Sequence, residues 1–160
     1  MFDRLATGTT INGQKGRYEV LNVVGRGGMG VVYRARRAHD GSTWAIKEQR
    51  PDTPLAPSEA ADNQRLFEHE AQLILRLQHP NIVAGEELFT WQDRLYLVME
   101  FVAGETLEKR LRDANAPAFE QDALRWTTQM ARVLVYLHGQ QPPIIYRDLK
   151  PANAMLSPDG

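Results

Sequence analysis

The stretch Gly25-Arg26-Gly27-Gly28-Met29-Gly30-Val31-Val32-Tyr33 constrains this chain more than any other, because of what flanks it. Before it, Tyr18-Glu19-Val20-Leu21-Asn22-Val23-Val24 alternates as a strand does. After it, Val31-Val32-Tyr33 is β-branched and aromatic, His39-Asp40-Gly41-Ser42 is a turn sequence, and Thr43-Trp44-Ala45-Ile46 is a second β-like run ending at Lys47. A bare G-x-G-x-x-G also occurs in dinucleotide-binding folds, but there a helix opens directly after the glycines. The pattern here predicts strand, glycine turn, strand, hairpin, strand. Glycines between two strands let backbone N–H groups approach an anion closely, and the returning strand brings one positive charge beneath them. On that strand Ala45 and Lys47 share a face and Trp44 and Ile46 share the other. A small residue beside a lysine suits a flat ring and its phosphates.

The first sixteen residues, rich in Thr and Gly without a sustained period, read as a lead-in. Pro51, Pro54 and Pro57 predict an irregular connection over Gln49 to Ser58. A helix is expected from about Glu59 to Gln78, with Phe67, Glu70, Ala71 and Ile74 on one side. A carboxylate within an apolar stripe wants a cation, and Lys47 is the candidate, although each alone also reads as a solvated side chain. His79-Pro80 stops the helix and opens a further strand region. A hairpin turning at Gln92-Asp93 follows, then Glu100 to Gly104 as a hinge. Beyond the hinge the character becomes helical: a short charged helix from Glu105 to Arg112, a break at Asn115 to Pro117, and a helix from about Glu120 to His138 with Leu124, Thr127, Met130, Ala131, Leu134 and Leu137 at helical spacing. The histidines show no metal-like spacing and read as structural; Trp44, Trp91 and Trp126 read as packing residues.

A second chemical cluster is Tyr146-Arg147-Asp148-Leu149-Lys150-Pro151-Ala152-Asn153, expected on a loop between Ile144-Ile145 and Ala154-Met155-Leu156. A carboxylate, an ammonium and an amide at this spacing can accept a proton, neutralise phosphate charge and ligate a metal. Alone it also reads as a charged turn; the glycine turn and Lys47 tilt the balance.

Composition narrows the class. A net charge of −1 supplies no basic field for nucleic acid, so no nucleic-acid partner is expected. There are no cysteines, hence no disulfide framework and no thiolate metal site. The best apolar run, Leu95 to Ala103, is interrupted by Glu100 and falls short of a membrane span, and no leader pattern opens the chain. A cytoplasmic location is expected.

With both clusters in view, the chain resembles protein kinases of the eukaryotic-like serine/threonine type, bacterial ones included, from about Tyr18 to Gly160. Gly25, Gly27, Gly30 and Val32 resemble the glycine-rich loop, in which Arg26 and Gly28 lie, and Trp44-Ala45-Ile46-Lys47 resembles the strand bearing the ATP-phosphate lysine, with Trp in place of the usual Val. Glu70 is similar to the glutamate that orients this lysine, Met99 to the gatekeeper, and the backbone of Glu100 and Val102 to the adenine-binding hinge. Asp148 resembles the catalytic base, Lys150 the lysine typical of serine/threonine kinases, and Asn153 a magnesium ligand; Tyr146 replaces the commoner His. The resemblance implies an α+β protein-kinase-like fold: a lead-in over 1–16, an antiparallel β-sheet N-lobe with one helix and the hinge over 17–102, and over 103–160 the beginning of a helical C-lobe with two helices and the catalytic loop. It further implies ATP and Mg2+ as cofactors, and transfer of the γ-phosphoryl group to Ser or Thr of a protein substrate.

Ser157-Pro158-Asp159-Gly160 follows Ala154 to Leu156 as a turn, so a returning strand is expected there. In the family that strand leads to Asp-Phe-Gly and the activation segment, which these 160 residues do not contain. The expectation is a truncated kinase with little phosphotransferase activity on its own and an exposed apolar face on the Glu120 to His138 helix. A non-catalytic ATP-binding or regulatory module of pseudokinase type stands as the alternative, and a product without a stable fold as a third.

Overall fold

The computed structural model describes residues 5–27, 30–49, 56–114 and 119–158. Two compact units divide it: Met1–Gln78 with Val83–Phe101, and His79–Ile82 with Val102–Gly160.

The first unit is a six-stranded antiparallel sheet with one helix. Its strands are β1 (Thr10–Asn12), β2 (Arg17–Gly27), β3 (Gly30–Arg37), β4 (Thr43–Gln49), β5 (Gly85–Trp91) and β6 (Arg94–Glu100), and their order across the sheet is β1-β2-β3-β4-β6-β5. The alternation read from the sequence sorts the side chains onto two faces. One face builds a core of Ile11, Tyr18, Val20, Tyr33, Ile46, Tyr96 and Val98. The other receives α1 (Pro57–Arg76), whose Phe67 and Ala71 pack on Leu97. The helix backbone comes so close to β5 that a Cβ on Gly85 would lie 2.9 Å from the Leu75 backbone, so only glycine fits there. Gln92 and Asp93, with φ of 48° and 59°, turn the β5–β6 hairpin where the sequence placed it.

Several expectations change. The segment read as a lead-in carries β1, which pairs with β2 and buries Ile11 completely. A three-residue strand is too short for periodicity to reveal. Pro57 belongs to α1 rather than to the irregular connection, because a first-turn position needs no N–H donor; Pro51, Pro54 and Gly28 lie outside the described residues. The helix ends at Arg76, short of Gln78, and β5 starts at Gly85, not directly after the His79-Pro80 stop.

The second unit contains β7 (Glu105–Thr106), α2 (Leu107–Asp113), α3 (Glu120–His138), a 3-10 turn over Pro151–Asn153 and β8 (Met155–Leu156). Glu105 and Thr106 are therefore strand rather than helix: they pair with Leu156 and Met155, and Thr106 caps α2 by accepting from the Lys109 N–H at 3.1 Å. The α3 bounds match the sequence reading, with Leu137 buried and Leu124 and Val135 exposed; the break at Asn115 to Pro117 lies outside the described residues. Among the described residues no helix is long and apolar enough to cross a membrane.

Candidate active site

The strand register assembles the first group. Gly25 pairs with Val32, Val32 with Lys47 and Lys47 with Leu97, forming one row across four strands. The next row on the same face runs from Arg34 through Ala45 to Met99. Gly25, Val32, Ala45, Lys47 and Met99 thus share a face, because directly opposed residues point to the same side of a sheet. Arg26 is exposed beside them on β2, and Gly27 pairs with Gly30, the two residues between lying outside those described.

Lys47 Nζ donates to both carboxylate oxygens of Glu70, at 2.7 Å and 2.8 Å, and lies 5.6 Å from the centre of the Phe67 ring. The lysine side chain is 16% exposed and the glutamate 38%, so the pair sits at the rim of the apolar contact between sheet and helix. A bidentate pair fixes the direction of the lysine stem while leaving its charge within reach of an anion.

Behind this face lie polar groups that the sequence reading missed. Glu48, next to Lys47 but on the opposite face, is completely buried; it accepts from Tyr33 Oη at 2.7 Å and is ion-paired with Arg94. Glu87 accepts from the backbone N–H groups of Gln14 and Lys15 at 2.7 Å and 3.0 Å and from Tyr18 Oη at 2.7 Å. The period-two pattern held a clue, since it places Glu48 with Ile46 on the apolar face, where a carboxylate needs donors.

At the exit of β6, the Glu100 N–H donates to the Ala84 carbonyl at 2.8 Å. Phe101 is the last residue of the first unit and Val102 opens the second stretch.

The second group lies within the second unit. Asp148 Oδ2 accepts from Lys150 Nζ at 2.9 Å and from Asn153 Nδ2 at 2.8 Å, and the same Asn153 amide also donates to the Asp148 carbonyl at 2.9 Å. The Lys150 ammonium, seconded by the Asn153 amide, holds the Asp148 carboxyl below the usual carboxylate range, and Asp148 in turn raises Lys150. Because both contacts use the Asn153 nitrogen, its Oδ1 is the atom left to face a hard cation, which suits Mg2+. Among the described residues no three His, Asp or Glu side chains cluster as a metal site. His79 is structural as expected: its Nδ1 accepts from the Asn81 N–H at 3.1 Å, and its ring lies 5.1 Å from that of Tyr136.

Residues 18–160 match the protein kinase domain family. The chain is 38% identical over 143 residues to the serine/threonine-protein kinase PrkC of Bacillus subtilis, covering 88% of this chain and 21% of the relative. It is 39% identical over 149 residues to the probable serine/threonine-protein kinase SCO3848 of Streptomyces coelicolor, covering 91% and 21%. The chain therefore spans about a fifth of the length of these relatives. Among solved structures, the Mycobacterium tuberculosis PknI kinase domain superposes with a TM-score of 0.74 at 29% identity, over 96% of this chain and 58% of that one. The glycine turn, the Lys47–Glu70 pair and the Asp148 loop thus stand in a chain that belongs to the protein kinase domain family and resembles its bacterial serine/threonine members.

Proposed function

We propose that this chain binds ATP with Mg2+ and serves the transfer of the γ-phosphoryl group to serine or threonine hydroxyls of a protein substrate. The observation that carries the reading is the bidentate Lys47–Glu70 pair, in register with Gly25 and Val32 on one sheet face. Phosphoryl transfer asks little covalent chemistry of a protein and is accelerated by positioning and charge neutralisation. In this reading Gly25 to Gly30 cover the phosphates, Lys47 pairs with them and Glu70 orients Lys47. Val32, Ala45 and Met99 line the adenine side, and the backbone of Glu100 and Val102 hydrogen-bonds the base.

Asp148 orients the attacking hydroxyl and accepts its proton as the oxygen–phosphorus bond forms and the leaving oxygen of ADP takes its electron pair. A carboxylate held low by Lys150 is ionised at neutral pH and suited to orienting a hydroxyl, with proton acceptance late in the step. Lys150 neutralises charge on the γ-phosphate, and Asn153 Oδ1 would hold Mg2+, whose contribution is to balance phosphate charge.

The test is a titration of Mg-ATP followed by tryptophan fluorescence, paired with an assay of γ-phosphoryl transfer to a Ser/Thr-containing protein. Saturable binding that weakens about tenfold or more in Lys47→Met and persists in Asp148→Asn is the expected result. Transfer that disappears in Asp148→Asn supports the full reading. Because these 160 residues lack Asp-Phe-Gly, saturable binding with little transfer by them alone agrees with the reading. Absence of transfer by a chain that also carries the Asp-Phe-Gly segment points instead to a nucleotide-binding regulatory module, and absence of ATP binding overturns the reading.

A further inference from the structure

Strand β3 carries three arginines, Arg34, Arg36 and Arg37, and uses them differently. Arg36 donates to Glu19 at 2.6 Å, and Arg37 is ion-paired with Asp40 and with Glu86, the latter at 2.9 Å. Arg34 has no carboxylate partner among the described residues; its guanidinium carbon lies 5.1 Å from the centre of the Phe101 ring. A long cationic side chain on an exposed strand position ordinarily ranges through water, so resting it on a ring needs the attraction of that ring for the cation.

The place of this contact in the sheet is informative. Along β3 the side chains on the site face step from Val32, opposite Lys47, to Arg34, opposite Ala45 and in the row of Met99. That step leads away from the Gly27–Gly30 pair, so Arg34 stands farther from the phosphate cover than Val32 and Lys47 do, with only Arg36 beyond it on this face of β3. Phe101 follows Glu100, whose N–H is already committed to Ala84. The backbone leaving β6 is therefore held twice, by a hydrogen bond before Phe101 and by a guanidinium on the ring of Phe101.

We propose that Arg34 is a positioning residue for the adenine end of the nucleotide site: by seating Phe101 it fixes the backbone of Glu100 to Val102 and so sets affinity for the base rather than for the phosphates. The inference rests on the reading that adenine meets this backbone. Arg34 acts through the ring and makes no contact with ATP in this account.

The experiment uses the full chain and three probes, Mg-ATP, adenosine and magnesium tripolyphosphate, with Arg34→Leu, Arg34→Lys, Phe101→Leu and the Arg34→Leu/Phe101→Leu double variant. Arg34→Leu is expected to weaken adenosine and ATP by the same factor, about two- to fivefold for a cation–ring contact at an exposed position, and to leave tripolyphosphate unchanged. Phe101→Leu should match it, the double variant should add nothing beyond the larger single effect, and Arg34→Lys should recover part of the loss. Equal weakening of tripolyphosphate, with or without a lower melting temperature of the free protein, overturns the inference, as does unchanged adenosine affinity. Wild-type chain that binds no ATP overturns the underlying reading and the inference with it, an outcome distinct from wild-type binding that the variants leave untouched.

Discussion

Lys47 Nζ lies 2.7 Å and 2.8 Å from the two carboxylate oxygens of Glu70, joining the central strand β4 to α1. Because Glu70 is more than a third exposed, the pair contributes little to stability, about 1 kcal/mol or less; under the proposed function its value lies in aiming the lysine. Glu70→Gln is therefore expected to leave the melting temperature nearly unchanged while weakening Mg-ATP binding several-fold, with Lys47→Met weakening it more. Calorimetric titration beside a thermal melt checks both halves; an equal loss of stability and affinity would contradict this account.

The buried Glu48 predicts the opposite balance. Arg94→Met leaves a carboxylate with no exposure deprived of its ion pair, and a cost of about 2–4 kcal/mol is expected. Tyr33→Phe removes a single donor at 2.7 Å and should cost about 1–2 kcal/mol. Urea denaturation of the two variants orders them, and an Arg94 variant as stable as the parent would refute the assignment.

Glu87 clasps the N-terminal segment by three hydrogen bonds, two from Gln14 and Lys15 and one from Tyr18. Removing residues 1–16 should therefore destabilise the protein by about 2–4 kcal/mol, from the lost burial of Ile11 and the loss of the Gln14 and Lys15 donors to Glu87, which keeps Tyr18. Glu87→Ala alone should reproduce part of that loss. Melting temperatures of the two variants read this directly.

Alkaline pH tests the same polar groups. Burial first, and then the Glu87 carboxylate, raise the Tyr18 hydroxyl well above the usual tyrosine range; burial and Glu48 do the same for Tyr96. The folded state keeps these protons after the unfolded chain has lost them, so stability present below about pH 10 is lost as the pH rises above it. Absorbance at alkaline pH should show Tyr18 and Tyr96 ionising together with unfolding, and the Tyr18→Phe/Tyr96→Phe variant should lose much of the alkaline fall in melting temperature.

Gly104 closes the β7–β8 pairing. A Cβ there would stand far inside contact distance of the Leu156 carbonyl oxygen, so Gly104→Ala must displace the strand that follows the Asp148 loop. Loss of amide-exchange protection at Thr106 and Leu156 is expected, while the first unit keeps its own protection.

What the sequence determined by itself is what local pattern and short-range chemistry encode. Period two placed Ala45 and Lys47 on one face and Ile46 on the other, and the helical period placed Glu70 beside Phe67 and Ala71, so their pairing was legible before any coordinates. Asp148, Lys150 and Asn153 lie within one turn of chain, where spacing nearly dictates contact. Tertiary structure decided the rest. Glu48 takes Tyr33 from 15 positions away and Arg94 from 46, and the Glu87 cluster joins residues 69 or more positions apart; no local pattern announces which tyrosine, arginine or amide will satisfy a buried acid. Strand β1, and the pairing of Glu105–Thr106 with Met155–Leu156, rest on backbone bonds any short segment can make, so only the rest of the fold selects them. Arg34 was one of several arginines in sequence; the sheet register alone set its guanidinium on Phe101.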